Sequence, residues 1–308
     1  MENTVIARLS GGGQSNLSSL SGIGAGNKPC SAATPKKQQN GFTLAEVLIT
    51  LGIIGVVAAM TMPTLMNKTN NKELHTAFLK TYSELNQVAG LFKADYGISI
   101  SEYVAQAQGS TGGGSGIKPE IASRIFAYYK GSRNLTKGGQ GTSDGEGNFL
   151  AWYNMANLNG SGYSGGANNS GTNSSFLCDN SAFTNNLSGA LMILNDAPKE
   201  GDNGPVICVD VNGKKKPNRY GIDYFMFIFT VDGRVLPVGQ EHKNNPRACN
   251  SSNGTCGNFN NIGSEYCSNK VSDISKNTSC AYYALTNTHP TEEGKDYWTD
   301  FLGEVYKR

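Results

Sequence analysis

The sequence contains few of the residues and patterns that usually carry enzyme chemistry. It has three histidines in 308 residues, and charged residues make up 16% of the chain, against about 25% in typical soluble proteins. It holds no H-E-x-x-H pair, no P-loop and no usable dinucleotide fingerprint. Its cysteines show neither a C-x-x-C redox spacing nor the paired spacing of zinc ligands. These absences favour a protein that is not an enzyme.

The sequence also lacks the strong positive charge of a nucleic-acid-binding protein. Its 26 basic and 24 acidic residues give a formal net charge of +2, so no nucleic acid is expected as a partner. Glycine, by contrast, is abundant, since the 39 glycines exceed the usual share of about 7%. Much of the chain is therefore expected to form loops.

One long hydrophobic run lies near the N-terminus. Residues 1–41 are polar and show no apolar period, whereas residues 42–66 contain one ionisable side chain, Glu46. As a helix rising about 1.5 Å per residue, this run spans roughly 37 Å, more than the bilayer core of about 30 Å. It is too long, and starts too late, for a secretory signal peptide. The run predicts a membrane-spanning helix, although a carboxylate in lipid costs about 2.5–3.5 kcal/mol on insertion scales.

The junction between the polar and the apolar segment has a specific pattern. Lys36 and Lys37 precede Gly41, which is followed directly by Phe42 and, four residues later, by Glu46. This order, together with the unbroken apolar run, resembles the class III signal of type IV pilins and type II secretion pseudopilins. The resemblance implies that a prepilin peptidase cleaves between Gly41 and Phe42 and methylates the new amine of Phe42.

The resemblance also implies roles for Glu46 and Pro63. The Glu46 carboxylate would pair with the charged amine of Phe42 on an adjacent subunit during assembly, which removes two desolvation penalties together. The alternative is that Glu46 only extends from a helix end toward the polar surface. Pro63 lies where the family often bends this helix.

The sequence predicts an α+β fold of the pilin-like kind. A long N-terminal helix, with a membrane half and an amphipathic half, is expected to pack on a small antiparallel β-sheet head with long loops. The predicted segments are a removed leader (1–41), a transmembrane and polymerisation helix (42–66), an amphipathic helix (67–108), a Gly-rich variable region with a short helix (109–188), an antiparallel sheet core (189–240) and a Cys-containing C-terminal region (241–308).

Apolar periodicity supports these segments. Gly97 is a plausible helix stop, and residues 119–130 have the pattern of a short helix. Asp232 and Gly233 predict a two-residue hairpin turn. One helical face is formed by Leu74, Phe78, Tyr82, Leu85, Ala89 and Phe92. Short strands are predicted at residues 189–194, 205–211, 223–231 and 234–238.

Six cysteines remain once the leader takes Cys30 with it. On the oxidising side of a membrane they are expected to form disulfides, with fifteen pairings open. The disulfide candidates are Cys178, Cys208, Cys249, Cys256, Cys267 and Cys280. The C-terminal aromatic residues are expected to seal a second small core or, alternatively, to contact a partner; they are Tyr282, Tyr283, Tyr297, Trp298 and Phe301.

Two further patterns are weaker. Asp210, Asn212 and Asp223 could ring a calcium ion, as loops of this region do in major pseudopilins, although such residues more often form turns and lysines 214–216 lie beside them. Ser164 lies in a G-x-S-x-G pattern that lacks the strand before it and the helix after it. A catalytic Ser164 is therefore not expected, and calcium is the one cofactor considered.

The resulting prediction is a non-enzymatic structural subunit of a type IV pilus-like filament, with a type II secretion pseudopilin preferred. Expected partners are a prepilin peptidase, other pilin-like subunits, an inner-membrane assembly platform with its ATPase, and the membrane. The expected location is the bacterial inner membrane, as a single-pass protein with an extracytoplasmic C-terminal part, and the pilus or pseudopilus after assembly. The alternatives are a minor type IV pilin for adhesion or DNA uptake, and a bitopic membrane-anchored extracytoplasmic binding protein.

Overall fold

The computed structural model describes most of the chain from residue 41 onward. The described residues are 41–108, 117–134, 155–160, 163–164, 178, 182–185, 187, 189–195, 197–213, 215–242, 262–270 and 274–305. Residues 1–40 of the predicted leader, Cys249 and Cys256 lie outside them. The chain divides into two compact units, residues 1–54 and 55–308.

The first helix, α1, covers Leu44–Tyr96. It ends at Gly97, whose φ of 73° is a left-handed conformation that glycine adopts without strain. The predicted helical face is confirmed, because Leu74, Phe78, Leu85, Ala89 and Phe92 are buried and Tyr82 is half-buried.

The predicted amphipathic segment 67–108 contains the end of α1 and a second helix. Helix α2 covers Ile100–Gln108 and starts at a capping box, in which the Ser99 hydroxyl accepts the Glu102 N–H (3.1 Å) and the Glu102 carboxylate accepts the Ser99 N–H (2.9 Å). Helix α3 covers Pro119–Phe126 and buries Ile121, Ile125 and Phe126. The short helix expected after residue 119 is therefore present.

Within the described residues, the main sheet is antiparallel and has six strands in the order β1-β4-β5-β6-β7-β8. Its strands are β1 (Arg133–Asn134), β4 (Ala182–Asn185), β5 (Leu191–Asn195), β6 (Val206–Asp210), β7 (Tyr224–Phe229) and β8 (Val235–Pro237). A separate pair is formed by β2 (Met155–Ala156) and β3 (Tyr163–Ser164). The four predicted strands correspond to β5–β8, and the α+β fold is confirmed.

The hairpin between β7 and β8 is present, but its turn differs from the predicted one. Thr230 N–H donates to Arg234 O (2.9 Å) and Gly233 N–H donates to Thr230 O (2.9 Å), which leaves a three-residue loop rather than a two-residue one. Gly233 has a φ of 88°, as a three-residue loop requires at its left-handed position. Hydrogen bonds from Arg234 hold the pKa of Asp232 below its usual range.

The central strands are buried on both faces. Along β7, Phe225, Phe227 and Phe229 belong to one hydrophobic cluster, which also contains the buried face of α1. The alternating residues, including Tyr224 and Met226, belong to a second cluster on the opposite face. Phe78 of α1 meets Phe225 edge-on, with ring centroids 4.6 Å apart. Burial on both faces explains why these strands read as continuous apolar runs.

The described part of the C-terminal region is mainly helical, which was not predicted. It contains 3₁₀ turns at Ser264–Tyr266 and Ile274–Asn277, helix α4 (Cys280–Thr286), a π-helical turn (Tyr297–Phe301) and helix α5 (Leu302–Val305). Its buried aromatic residues join the main core and do not form the expected second one. Trp298 stacks on His75 at 4.9 Å and accepts a hydrogen bond from Asn71 through its carbonyl (2.8 Å). Partial burial of the His75 imidazole lowers the pKa of His75.

Two disulfides lie within the described residues. Cys178 is bonded to Cys208 of β6, and Cys267 is bonded to Cys280 at the start of α4. The sequence left these pairings open. A disulfide that closes a loop as short as the one between Cys267 and Cys280 stabilises a fold by about 3 kcal/mol, because it lowers the conformational entropy of the unfolded chain. This disulfide therefore helps to order a segment rich in Asn and Ser.

Candidate processing and assembly site

The start of α1 is closed by a reciprocal capping box between Thr43 and Glu46. The Glu46 Oε2 atom accepts the Thr43 N–H and the Thr43 hydroxyl, each at 2.8 Å. The Thr43 hydroxyl in turn accepts the Glu46 N–H at 3.2 Å. Thr43 is thus the N-cap and Glu46 the third helical residue, the spacing that a capping box requires.

The capping box has a particular value in lipid. The first N–H groups of a helix have no intrahelical partner, and an unpaired N–H group costs several kcal/mol in a bilayer core. The box satisfies two such groups with residues of the same turn. The sequence singled out Glu46 because it is an acid in an apolar run, but the capping role of Thr43 was not predicted. The T-x-x-E spacing of a capping box is the signal that identifies it.

The predicted processing residues lie directly before this cap. Gly41, Phe42 and Thr43 precede the first helical residue, Leu44. Phe42 is 87% exposed, and a Cβ added to Gly41 would meet no atom within 4 Å. The predicted scissile bond between Gly41 and Phe42 is therefore open to an incoming enzyme in this structure.

The helix beyond the cap has the properties of a membrane span. Within the described residues, Leu44–Met62 is long and apolar enough to cross a bilayer, and none of it is buried. Its Thr50 and Thr61 hydroxyls donate to backbone carbonyls four residues earlier, at 2.9 and 3.0 Å, so neither hydroxyl is left unpaired in an apolar medium. The backbone is helical on both sides of Pro63, and the bend there stays a prediction.

Together, the apolar capped helix and the small antiparallel sheet form an α+β arrangement that is consistent with a pilin-like fold. Comparison with known protein families identifies one sequence motif at the start of this helix. Residues 36–62 match the prokaryotic N-terminal methylation motif, which is the prepilin cleavage motif of type IV pilin-like proteins. No curated protein and no solved structure matches the chain.

The motif carries implications for processing and partners. It implies cleavage by a prepilin peptidase and assembly with pilin-like subunits. The proteins that carry it form a structural rather than an enzymatic family.

Ser164, the serine of the G-x-S-x-G pattern, lies in the two-residue strand β3. The residues on either side of that strand lie outside the described part of the chain.

The three residues predicted for calcium lie in one hydrogen-bonded cluster. Asp210 Oδ1 accepts the Asn212 N–H (3.1 Å), and the Asn212 side chain bonds to the Asp223 carboxylate. The carboxylate of Asp223 also accepts the N–H groups of Asn218 (2.8 Å) and Arg219 (2.7 Å). Burial of this carboxylate raises the pKa of Asp223 to about 7, although these hydrogen bonds oppose the increase.

The same cluster contains oxygen atoms that the protein does not satisfy. The side-chain oxygens of Asn212 and Asn218 are buried and have no hydrogen-bond partner. Amide oxygens and carboxylates are the ligands that Ca²⁺ takes in proteins. The donor set therefore fits calcium in kind.

A second acidic cluster does not have the chemistry of a metal site. One ligand atom from each of His289, Glu292 and Glu304 lies within 4.8 Å of the others. However, His289 Nδ1 accepts the N–H groups of Thr291 (3.2 Å) and Glu292 (3.0 Å), so in the neutral ring the proton is on Nε2. That nitrogen lies 3.6 Å from Glu304 Oε1, and it has no lone pair to offer a metal ion.

Proposed function

We propose that this protein is a structural, non-enzymatic subunit of a type IV pilus-like filament, with a type II secretion pseudopilin as the preferred form. A prepilin peptidase removes residues 1–41 and methylates Phe42. The mature chain is held in the bacterial inner membrane by residues 42–66, with its C-terminal part outside the cytoplasm. An assembly platform and its ATPase then extract the helix into a filament.

The observation that carries this proposal is the match of residues 36–62 to the N-terminal methylation motif. The exposed apolar helix behind the motif supports it, because fourteen large apolar side chains between Phe42 and Met66 are exposed, which a filament core or a bilayer would cover. A minor type IV pilin and an anchored binding protein that does not polymerise remain the alternatives.

Replacing Gly41 by valine is expected to abolish cleavage. The space around Gly41 is open, so the larger side chain does not disturb the fold and acts on recognition by the peptidase. The measurement is the intact mass and N-terminal peptide of the full chain expressed with a prepilin peptidase. The wild-type chain should begin with N-methylated Phe42, and the variant should retain residues 1–41.

Gly90→Val is the matched control, since a Cβ at Gly90 also meets no atom within 4 Å. This control should be cleaved at the wild-type rate. An uncleaved wild-type chain in the presence of active peptidase would contradict the proposal and favour the anchored binding protein.

We further propose that Asp210, Asn212 and Asp223 hold a calcium ion. Two unpaired amide oxygens and two buried carboxylates in one loop cluster support this. Lys215 and Lys216, which are exposed beside the loop, oppose it because they add positive charge near the ion. A bound calcium ion would offset the cost of keeping the Asp223 carboxylate charged.

Calcium in excess over EDTA is expected to raise the melting temperature of the full chain by about 5–10 °C. A ligand at a free concentration of one hundred times its Kd stabilises the folded state by about 2.7 kcal/mol. Each kcal/mol of stabilisation raises the melting temperature of a domain of this size by about 2–4 °C. Asn212→Ala should remove the shift, whereas Glu200→Gln, an exposed carboxylate elsewhere, should keep it. An unchanged melting temperature with and without calcium would exclude the metal.

A further inference from the structure

A pocket lies between α1 and the loop that follows β6. Its volume is about 320 Å³, and it is lined from the helix by Asn70, Glu73 and Leu74 and from the loop by Asn212, Lys215 and Lys216. We call it the basic pocket. Both lining segments belong to the same compact unit, residues 55–308.

Positive charge dominates the basic pocket. Lys215 Nζ lies 3.9 Å from Glu73 Oε1, and the two side chains are 76% and 72% exposed. Because water screens the charges of this ion pair, the pair contributes little to stability. Lys216 also lines the pocket and is exposed. The lining thus contains two lysines and one acid, Glu73, and this excess of positive charge favours an anion.

The position of the basic pocket along α1 is specific. The exposed apolar side chains of the helix continue to Leu65 and Met66, which are 66% and 62% exposed. At about 1.5 Å per residue, Asn70 lies roughly 6 Å and Leu74 roughly 12 Å beyond Met66 along the helix axis. The polar headgroup layer occupies about 5–8 Å on each side of the hydrocarbon core. With Met66 at the edge of the core, the Asn70 end of the pocket lies within the headgroup layer and the Leu74 end lies just beyond it.

We propose that the basic pocket binds the phosphate of an anionic phospholipid headgroup while the chain is stored in the membrane. The proposal rests on the proposed function, because it requires residues 42–66 to be inserted in lipid. Lys215 and Lys216 contact the phosphate, and the side-chain amide of Asn70 offers a hydrogen-bond donor to it. Basic residues at a membrane surface favour anionic lipids, so this contact would retain the subunit and would be given up when the helix is extracted.

The test counts lipids bound to the full chain in a non-ionic detergent by native mass spectrometry. Phosphatidylglycerol, phosphatidylcholine and inorganic phosphate are titrated separately. The wild-type chain should prefer phosphatidylglycerol over phosphatidylcholine by about tenfold, and added salt should weaken the preference. The double variant Lys215→Gln/Lys216→Gln should lose it, while Lys130→Gln/Lys199→Gln, two exposed lysines elsewhere, should keep it.

Equal binding of the two lipids, or equal loss in both double variants, would overturn the proposal. Competition by inorganic phosphate at the same concentration as the lipid would overturn the lipid assignment and identify a site for free phosphate. Insertion of the chain into vesicles of pure phosphatidylcholine is measured in parallel by flotation. Failure to float would contradict the membrane-anchored subunit itself, whereas flotation without a preference for phosphatidylglycerol contradicts the lipid site alone.

Discussion

Alanine in place of Glu46 is expected to reduce incorporation of the mature chain into filaments by about two orders of magnitude without preventing cleavage after Gly41. The charged amine of Phe42 would then lack a carboxylate in an apolar surrounding, at a cost of about 2.5–3.5 kcal/mol, and about 1.4 kcal/mol corresponds to a factor of ten. The variant also loses the capping bonds from Thr43. The measurement is the ratio of sheared filament to membrane pool in cells that carry the assembly machinery.

Two further variants separate the charge of Glu46 from its role in the cap. Glu46→Gln keeps an oxygen that can accept the Thr43 N–H but removes the charge, and it should assemble as poorly as the alanine variant. Thr43→Ala removes the cap but keeps the carboxylate, and it should show a smaller defect, corresponding to the loss of about 1 kcal/mol in helix capping. Wild-type assembly of Glu46→Gln would show that charge pairing is not the role of Glu46.

Alanine in place of Gly221 is expected to lower the free energy of unfolding by about 2–6 kcal/mol. Gly221 has a φ of 76°, which costs a residue with a side chain about 1–3 kcal/mol. A Cβ there would also lie 2.9 Å from both Cys280 Sγ and Tyr297 Oη, and overpacking of this kind costs about 1–3 kcal/mol. The Tyr297 hydroxyl donates to Gly221 O (2.5 Å), so the change also affects the docking of the C-terminal region. Urea denaturation gives the value.

Gly294→Ala is the matched control for this prediction. Gly294 has nearly the same φ, 77°, but a Cβ there would meet no atom within 4 Å. Its loss of stability should be limited to the cost of the backbone conformation. If both variants lost the same free energy, the close packing of the disulfide and Tyr297 against Gly221 would not contribute.

The parts of the fold with a strong local pattern were predictable from the sequence. The 3.6-residue period of Leu74 to Phe92 fixed the buried face of α1, and Gly97 marked its end. The apolar runs at β5–β8 and the turn at Asp232 and Gly233 predicted the main sheet. The processing motif was recognisable because it requires several residues at fixed offsets, and the family comparison agrees with it.

Other features depend on tertiary contacts and carry little local signal. Strand β4, Ala182–Asn185, has a short mixed composition and lies in an Asn- and Ser-rich region, so its pairing with β5 decides its structure. The π-helical turn at Tyr297–Phe301 forms where its aromatic residues meet α1. The pairing of Cys267 with Cys280 is set by the packing of α4, which no spacing rule encodes.

The geometry of the cap has a consequence for how fast subunits join. Both bonds from Thr43 end on the same carboxylate oxygen, Oε2, and a carboxylate has a second oxygen with its own lone pairs. In the proposed filament, the methylated amine of a neighbour would therefore approach Oε1 while the cap stays closed. Joining would then involve no fraying of the first helical turn, and lifting the helix out of lipid would be left as the slow step.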